Sequence, residues 1–194
     1  KEYRRQRQMC IRDRLTTVSV PEMFRYWLQG GRMTVGFLGG AQIDKFANLN
    51  TTVVGDYHKP KVRLPGGGGA PEIATNCREI FIIMAMGKRA FVDKLPFITS
   101  MGHGPTGRER RALGVASKGP TRLITDYCIF EPDPETQEMT VVSIHPGATR
   151  EEIIENCGWT PAFAANVAET RAPDATELEV LRDIQARTKA AHGG

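Results

Sequence analysis

At 194 residues, 40% hydrophobic and 25% charged, the chain is long enough for one domain with a substantial core and has an ordinary globular composition. Its net charge of +4 lies in the first 14 residues, where Lys1, Arg4, Arg5, Arg7, Arg12 and Arg14 face only Glu2 and Asp13. The remainder is charge-balanced, which excludes the electrostatic footprint of a nucleic-acid binder, and no apolar run reaches membrane-spanning length.

The basic leader has no apolar centre, so it is not a signal peptide. Gln8–Arg14 resembles the translated adaptor tails of environmental gene fragments, and residues 1–14 are expected to be a non-native leader ahead of a domain over 15–194. Cys10, Cys77, Cys128 and Cys157 show no C-x-x-C spacing. They read as reduced thiols of a cytoplasmic protein, not as a zinc site or a disulfide framework. The four histidines share no ligand spacing with carboxylates or thiolates, so no metal is expected.

In chain order, Val20–Leu28 has helical apolar spacing and stops at Gly30–Gly31. Thr34–Leu38 reads as a short buried strand running into Gly39–Gly40, and Thr51–Val54 as a β-branched strand. Glu79–Ala85 is continuously apolar and bounded by Gly87, as expected of a strand covered on both faces. Strands are also expected at Phe97–Ser100, Thr121–Phe130 and Thr140–His145, the last two separated by the turn Pro132–Glu135. Thr149-Arg-Glu-Glu152 is a capping-box pattern that starts a helix, and the tail from Pro173 to Ala191 reads as an amphipathic helix. Mixed elements around a buried central strand make this an α/β chain.

Gly66-Gly-Gly-Gly69, followed by Ala70-Pro71-Glu72, has a stiff entry at Pro65 and a helix start at its exit. Such a loop can converge free backbone N–H groups on an anion or a developing oxyanion; it can equally be a tight turn before a helix. Ahead of it lie Gly36-Phe-Leu-Gly-Gly-Ala-Gln-Ile-Asp44, Asn48-Leu-Asn-Thr-Thr52 and Val54–Arg63. Behind it come Thr99-Ser-Met-Gly-His-Gly104, Gly107–Arg110, Leu123–Asp126 and Glu151–Gly158. This ordered set, over roughly residues 32–185, resembles the β subunit of family I CoA-transferases, most nearly the glutaconate CoA-transferase B type.

The resemblance implies a NagB/RpiA/CoA-transferase-like α/β fold with a mixed, mostly parallel sheet flanked by helices. It also implies a partner α subunit of similar fold and coenzyme A thioesters as substrates, with no tightly bound cofactor. In such enzymes a glutamate attacks the acyl-CoA, giving an acyl-glutamyl anhydride and then a glutamyl-CoA thioester. The binding residues implied are Gly39, Gly40, Gln42, Gly67, Gly68, Gly69 and Ala70, with the amides of Gly68, Gly69 and Ala70 as oxyanion donors. The family's glutamate lies upstream of the Gly-Gly-Ala-Gln segment in a Glu-x-Gly context, and no Glu-x-Gly occurs in this sequence. The expectation is therefore an N-terminally truncated β subunit without its nucleophile, inactive alone. Two alternatives stay open: a CoA-thioester hydrolase or ring-cleaving relative that dispenses with this glutamate, and a non-catalytic interface fragment.

Other residues carry two readings each. Gln42 is a polar contact to substrate or nucleophile, whereas Asp44 is an Asx-turn residue. Asn48 and Asn50 cap turns. Asp56-Tyr57-His58 and His103 either line the acyl pocket or sit on the surface. Arg108, Arg110 and Arg111 meet coenzyme A phosphates or are solvated loop charge. Glu155-Asn-Cys-Gly158 is the nearest mimic of the glutamate context, but it falls in a C-terminal helix.

Overall fold

The computed structural model describes residues 17–192. The leader at residues 1–14 and Cys10 lie outside the described residues. Among the described residues two units are distinguished, residues 21–170 and the segments 17–20 plus 171–192.

The larger unit is organised on a six-stranded sheet. Strand β1 (Val35–Leu38) runs parallel to β6 (Glu79–Ile83), and β6 parallel to β7 (Pro120–Ile124). Strand β8 (Cys128–Pro132) is antiparallel to β7 and to β9 (Met139–Ile144), and β10 (Ala162–Glu169) is parallel to β9. The sheet is mixed and mostly parallel, as the sequence led us to expect. The span Thr121–Phe130, read as one strand, is two strands joined at Thr125–Tyr127. Thr125 Oγ1 accepts the amides of Tyr127 (3.1 Å) and Cys128 (2.9 Å), which turns the chain back on itself.

The apolar pattern of Glu79–Ala85 misled in one respect. Ile80 and Ile82 are fully buried, but the opposite face leaves Ile83 56% and Phe37 65% exposed. The strand is covered on one face, and Phe37 meets Phe81 edge-on at 5.8 Å on the open one. A continuous apolar run reports that neither face is polar. It does not report that both faces have neighbours.

The covered face packs Ile80, Ile82, Leu123, Phe130 and Val141 against Ile43, Leu49, Phe91, Ile153 and Trp159. Cys77, Cys128 and Cys157 belong to this layer as free thiols, and burial pushes Cys128 up to about 12 and Cys157 to about 11, so both stay protonated and inert. Gly36 is where helix and sheet come closest. A Cβ there would stand 2.7 Å from Ile73 Cγ2 and 2.9 Å from both Cys77 Sγ and Ile80 Cδ1.

Ile73 lies on α2 (Ala70–Asn76), which the glycine run feeds. Before β1, helix α1 (Val20–Glu22) passes into a π-helical stretch, Met23–Leu28, and the chain leaves through Gly31 at φ +67°. Two small ribbons, β2 (Gln42–Ile43) with β3 (Leu49–Asn50) and β4 (Val53–Gly55) with β5 (Pro60–Arg63), lie between β1 and α2. Thr51 and Thr52, expected in a strand, instead bridge the ribbons. Phe97–Ser100 forms no strand; only Ser100 bridges to Leu49. Helix α3 is the single turn Glu109–Ala112. Helix α4 (Arg150–Asn156) starts at the expected box, Thr149 Oγ1 accepting from Glu152 N at 3.2 Å and Glu152 Oε2 from Thr149 N at 2.8 Å. Strand β10 was not anticipated, because Ala-rich Ala162–Glu169 has neither strand propensity nor alternation.

In the second unit, α5 spans Ala175–His192. Asp174 Oδ1 accepts from Glu177 N and Glu177 Oε2 from Asp174 N, both at 2.9 Å, closing a reciprocal cap.

Gly36→Val should destabilise the protein by about 1–3 kcal/mol, the usual result of overpacking a filled core. Urea denaturation checks this; an unchanged midpoint would mean that α2 can move off the sheet freely.

Candidate functional site

The parallel strands β1, β6 and β7 point their carboxyl ends to one edge, where α/β proteins place ligands. Beyond β1, Gly39 and Gly40 turn the chain through a narrow gap. A Cβ on Gly39 would lie 3.3 Å from Ile83 O, and one on Gly40 would lie 3.1 Å from Leu49 Cδ2. The turn delivers Gln42 into β2 opposite Asn50.

Asn50 is fully buried and spends every polar group on local structure. Its Nδ2 donates to Gln42 Oε1 (2.9 Å) and Val53 O (2.6 Å), while its Oδ1 accepts from Thr52 N (3.0 Å) and Val53 N (3.2 Å). Gln42 Nε2 reaches Arg89 O at 3.4 Å, so this side chain is engaged by protein at both ends. Next in sequence, Thr51 holds the glycine run. Its Oγ1 donates to Gly66 O and its carbonyl accepts from Gly66 N, both at 2.9 Å. Thr99 Oγ1 in turn accepts from Thr51 N at 2.9 Å and meets Thr52 Oγ1 at 2.7 Å. The Gly-Gly-Ala-Gln turn and the glycine loop are thus coupled through Asn50, Thr51 and Thr99. Thr99 was not singled out in the sequence, where only its place in Thr99–Gly104 could have marked it.

Within the run the glycines have different duties. Gly66 (φ +95°) and Gly68 (φ +51°) take left-handed conformations that side chains resist. A Cβ on Gly67 would press Pro71 Cγ and Thr99 Cγ2 at 3.1 Å, and one on Gly69 would strike Phe24 Cζ at 2.7 Å. Over Gly68 there is open space. The Ala70 amide donates to Gly67 O at 2.9 Å, closing the turn, whereas those of Gly68 and Gly69 have no hydrogen-bond partner among the described residues. Of the three expected donors, two are unpaired among the described residues.

Asp44 is the Asx-turn residue expected. Its Oδ1 accepts from Phe46 N and Asn48 N, each at 3.0 Å. Burial raises its pKa, and the bonds from Asn48 oppose that rise. Asn48 does more than cap a turn: Nδ2 donates to Asp44 Oδ2 (2.9 Å) and Gly104 O (3.0 Å), and Oδ1 accepts from Gly102 N (2.9 Å) and Gly104 N (3.1 Å).

This fixes the loop of His103, which is buried and not the surface residue that one sequence reading made it. It is 2% exposed, and Nε2–H donates to Pro120 O at 2.9 Å. Burial lowers its pKa to about 4. Arg110 also departs from both sequence readings. It is 3% exposed, and its guanidinium donates to the carbonyls of Gly102 (2.7 Å), Ala74 (2.8 Å) and Met101 (3.0 Å) and to Ser117 Oγ. Every nitrogen is committed within the fold, so Arg110 clamps loops instead of meeting a phosphate. Arg108 and Arg111 are exposed. Asp56 Oδ1 closes an exposed turn by accepting from His58 N and Lys59 N at 2.8 Å, and Tyr57 stacks on Phe97 at 5.2 Å. Glu155 is exposed on α4. Among the described residues no cluster of His, Cys, Asp and Glu could hold a metal, and no helix is long and apolar enough to cross a membrane.

A family model for coenzyme A transferases matches residues 13–156. Over 178 residues the chain is 60% identical to the B subunit of 3-oxoadipate CoA-transferase from Pseudomonas knackmussii, covering 92% of this chain and 68% of that protein. It is 38% identical over 159 residues to the B subunit of glutaconate CoA-transferase from Acidaminococcus fermentans, covering 81% and 59%. The crystal structure of the Acidaminococcus glutaconate enzyme superposes with a TM-score of 0.73 at 34% identity, over 84% of this chain and 63% of that one. The chain therefore belongs to the coenzyme A transferase family. Within that family it is an enzyme subunit of the B, or β, type.

The buried neutral His103 makes a pH prediction. Its folded pKa, about 4, lies below the ordinary 6.5, so its contribution is present above pH 6.5 and is lost as pH falls toward 4. Acid should remove about 3 kcal/mol across that window. His103→Gln should flatten this part of the stability–pH curve measured by urea titration; a curve of unchanged slope would place the acid sensitivity elsewhere.

Proposed function

We propose that this chain works with an α subunit to move coenzyme A between an acyl-CoA and a carboxylic acid, the acid being dicarboxylic. 3-Oxoadipate and glutaconate, named in the two B-type relatives, are both dicarboxylic acids. The observation that carries the reading is the pair of unpartnered amides at Gly68 and Gly69, on a loop pinned by Thr51 and Thr99.

The chemistry follows from the thioester. A glutamate carboxylate adds to the acyl carbonyl, and the tetrahedral oxyanion collapses by expelling the CoA thiolate, leaving an acyl-glutamyl anhydride. The thiolate adds to the glutamyl carbonyl, releases the donor acid as carboxylate and leaves glutamyl-CoA. The acceptor carboxylate then repeats the sequence in reverse. Each step builds negative charge on one oxygen, and amides fixed before reaction stabilise it without reorganising. Gly68 and Gly69 supply that pair; the Ala70 amide, already used in the turn, does not. With no Glu-x-Gly in the sequence, the nucleophile is assigned to protein outside these residues.

Two measurements test this. The complete gene product, purified with its α subunit, should exchange CoA between succinyl-CoA and adipate, and borohydride, by reducing the glutamyl-CoA thioester, should release CoA and leave one glutamate as its alcohol, found by peptide mapping. Failure of exchange, or release of free CoA without transfer, overturns the reading. Second, Gly68→Asn tolerates a left-handed φ and puts a side chain into the open space beside Gly68. Its kcat should fall about 100-fold with little change in Tm, within the usual range for losing oxyanion donors. Gly69→Ala should instead lower Tm, because its methyl meets the Phe24 ring. A Gly68→Asn enzyme with full kcat would remove the oxyanion role.

A further inference from the structure

At the carboxyl end of β6 a cleft of about 500 Å³ opens between residues 85–90 and the last turn of α4. Of its lining, the sequence motifs had marked only Glu155 and Asn156. One wall carries Lys88 and Arg89, both exposed, and neither forms an ion pair with any described residue. The other carries Glu155 and Asn156. Among the described residues no salt bridge closes across the gap. The wall charges of the cleft sum to one positive charge, which matches one carboxylate. A phosphate dianion would overmatch it and be left facing Glu155.

The loop is held rigidly for a surface segment. Met86 N donates to Asp126 Oδ1 at 2.7 Å, and the amides of Ala90 (2.9 Å) and Phe91 (2.8 Å) both donate to Gly87 O. The Ala90 carbonyl accepts from Ile43 N at 2.8 Å, and the Arg89 carbonyl from Gln42 Nε2. Gln42 leads through Asn50 to Thr51, the residue that grips Gly66. The cationic wall and the oxyanion loop are therefore tied to one framework. Ala85 and Ala90 add a short apolar lining, suited to the methylenes between two carboxylates.

We propose that Arg89, assisted by Lys88, binds the distal carboxylate of the acid substrate and so selects dicarboxylic over monocarboxylic acids. This rests on the transferase reading above and assigns its substrate selectivity to a place. The planar guanidinium offers paired N–H donors to a carboxylate, and Lys88 adds a point charge. Glu155 opposite repels a second anion and leaves the cleft selective for a single charge.

The test uses the complete enzyme with its α subunit and compares adipate with hexanoate, which has the same chain length and one carboxylate. Arg89→Gln should lower the ratio of kcat/KM for adipate to that for hexanoate by 10- to 100-fold, the range for a lost charge-assisted hydrogen bond. Arg89→Lys should recover part of it, Lys88→Gln should lower it less, and Glu155→Gln should lower KM for adipate. Because the readout is a ratio within one preparation, partial misfolding does not produce it. An unchanged ratio overturns the proposal. So does a loss confined to CoA esters relative to 3′-dephospho-CoA esters, which would give these cations to the nucleotide. Should the wild-type enzyme transfer no CoA, the transferase reading falls by itself. Calorimetry with adipate then decides the cleft: binding abolished by Arg89→Gln supports it, and no binding by wild type removes it.

Discussion

The Asn48 side chain, fully buried, is the connection on which the rest of the larger unit depends. One amide group joins the Asp44 turn after β2 to the Gly102–Gly104 loop, more than fifty residues later, by five hydrogen bonds shared between its two ends. In a low-dielectric interior such bonds are strong when complete and costly when one is missing. The Gly102 loop in turn offers the carbonyls that receive the buried guanidinium of Arg110, which also reaches Ala74 on α2. A carboxylate, an amide and a guanidinium thus link three loops and a helix without any direct acid–base pair among them. Burial raises the Asp44 pKa and lowers that of Arg110 to about 10, the cost of holding both groups away from water.

A second polar chain, Gln42–Asn50–Thr51–Thr99, lies alongside the first and stabilises the proposed chemistry. Sequence neighbours serve opposite tasks here. Asn48 and Asn50 are two residues apart on one extended stretch, yet one fixes the distant His103 loop and the other the local bridge to the glycine run. The hydroxyls of Thr51, Thr52 and Thr99 supply donors and acceptors at short range, so the loop needs no helix dipole to hold it. What that loop leaves without partners among the described residues, the adjacent amides of Gly68 and Gly69, is a consequence of the glycines around it. Gly66 and Gly68 set the φ angles, Gly67 admits Pro71 and Thr99, and Gly69 admits Phe24. Conformational and chemical explanations of the run are the same explanation.

Much of the fold was legible because its signals are local. The capping box at Thr149 and the Asx turn at Asp44 each depend on a few adjacent residues whose side chains bond their own backbone. The ordered motifs were enough to place the chain in its family. What was not legible depended on distant partners. Arg110 looked like a loop cation and is a buried clamp, since its acceptors come from Ala74, Met101, Gly102 and Ser117. His103 looked like a surface or catalytic residue and is a neutral core group. Glu79–Ala85 looked covered on both faces, and Ile83 and Phe37 show that it is not. Ala162–Glu169 carried no strand signal because pairing with β9, not propensity, makes it a strand.

The sequence by itself determined the class of protein, the mixed α/β order of elements and the two glycine turns, because backbone conformation at glycine, proline and capping residues is dictated within a few bonds. Only the tertiary structure decided which amides of the Gly66–Gly69 run are free, which arginine is a clamp and which cations line a cleft. Hydrogen-bond saturation and burial are properties of the neighbours that folding brings together, and those neighbours lie tens of residues apart in the chain.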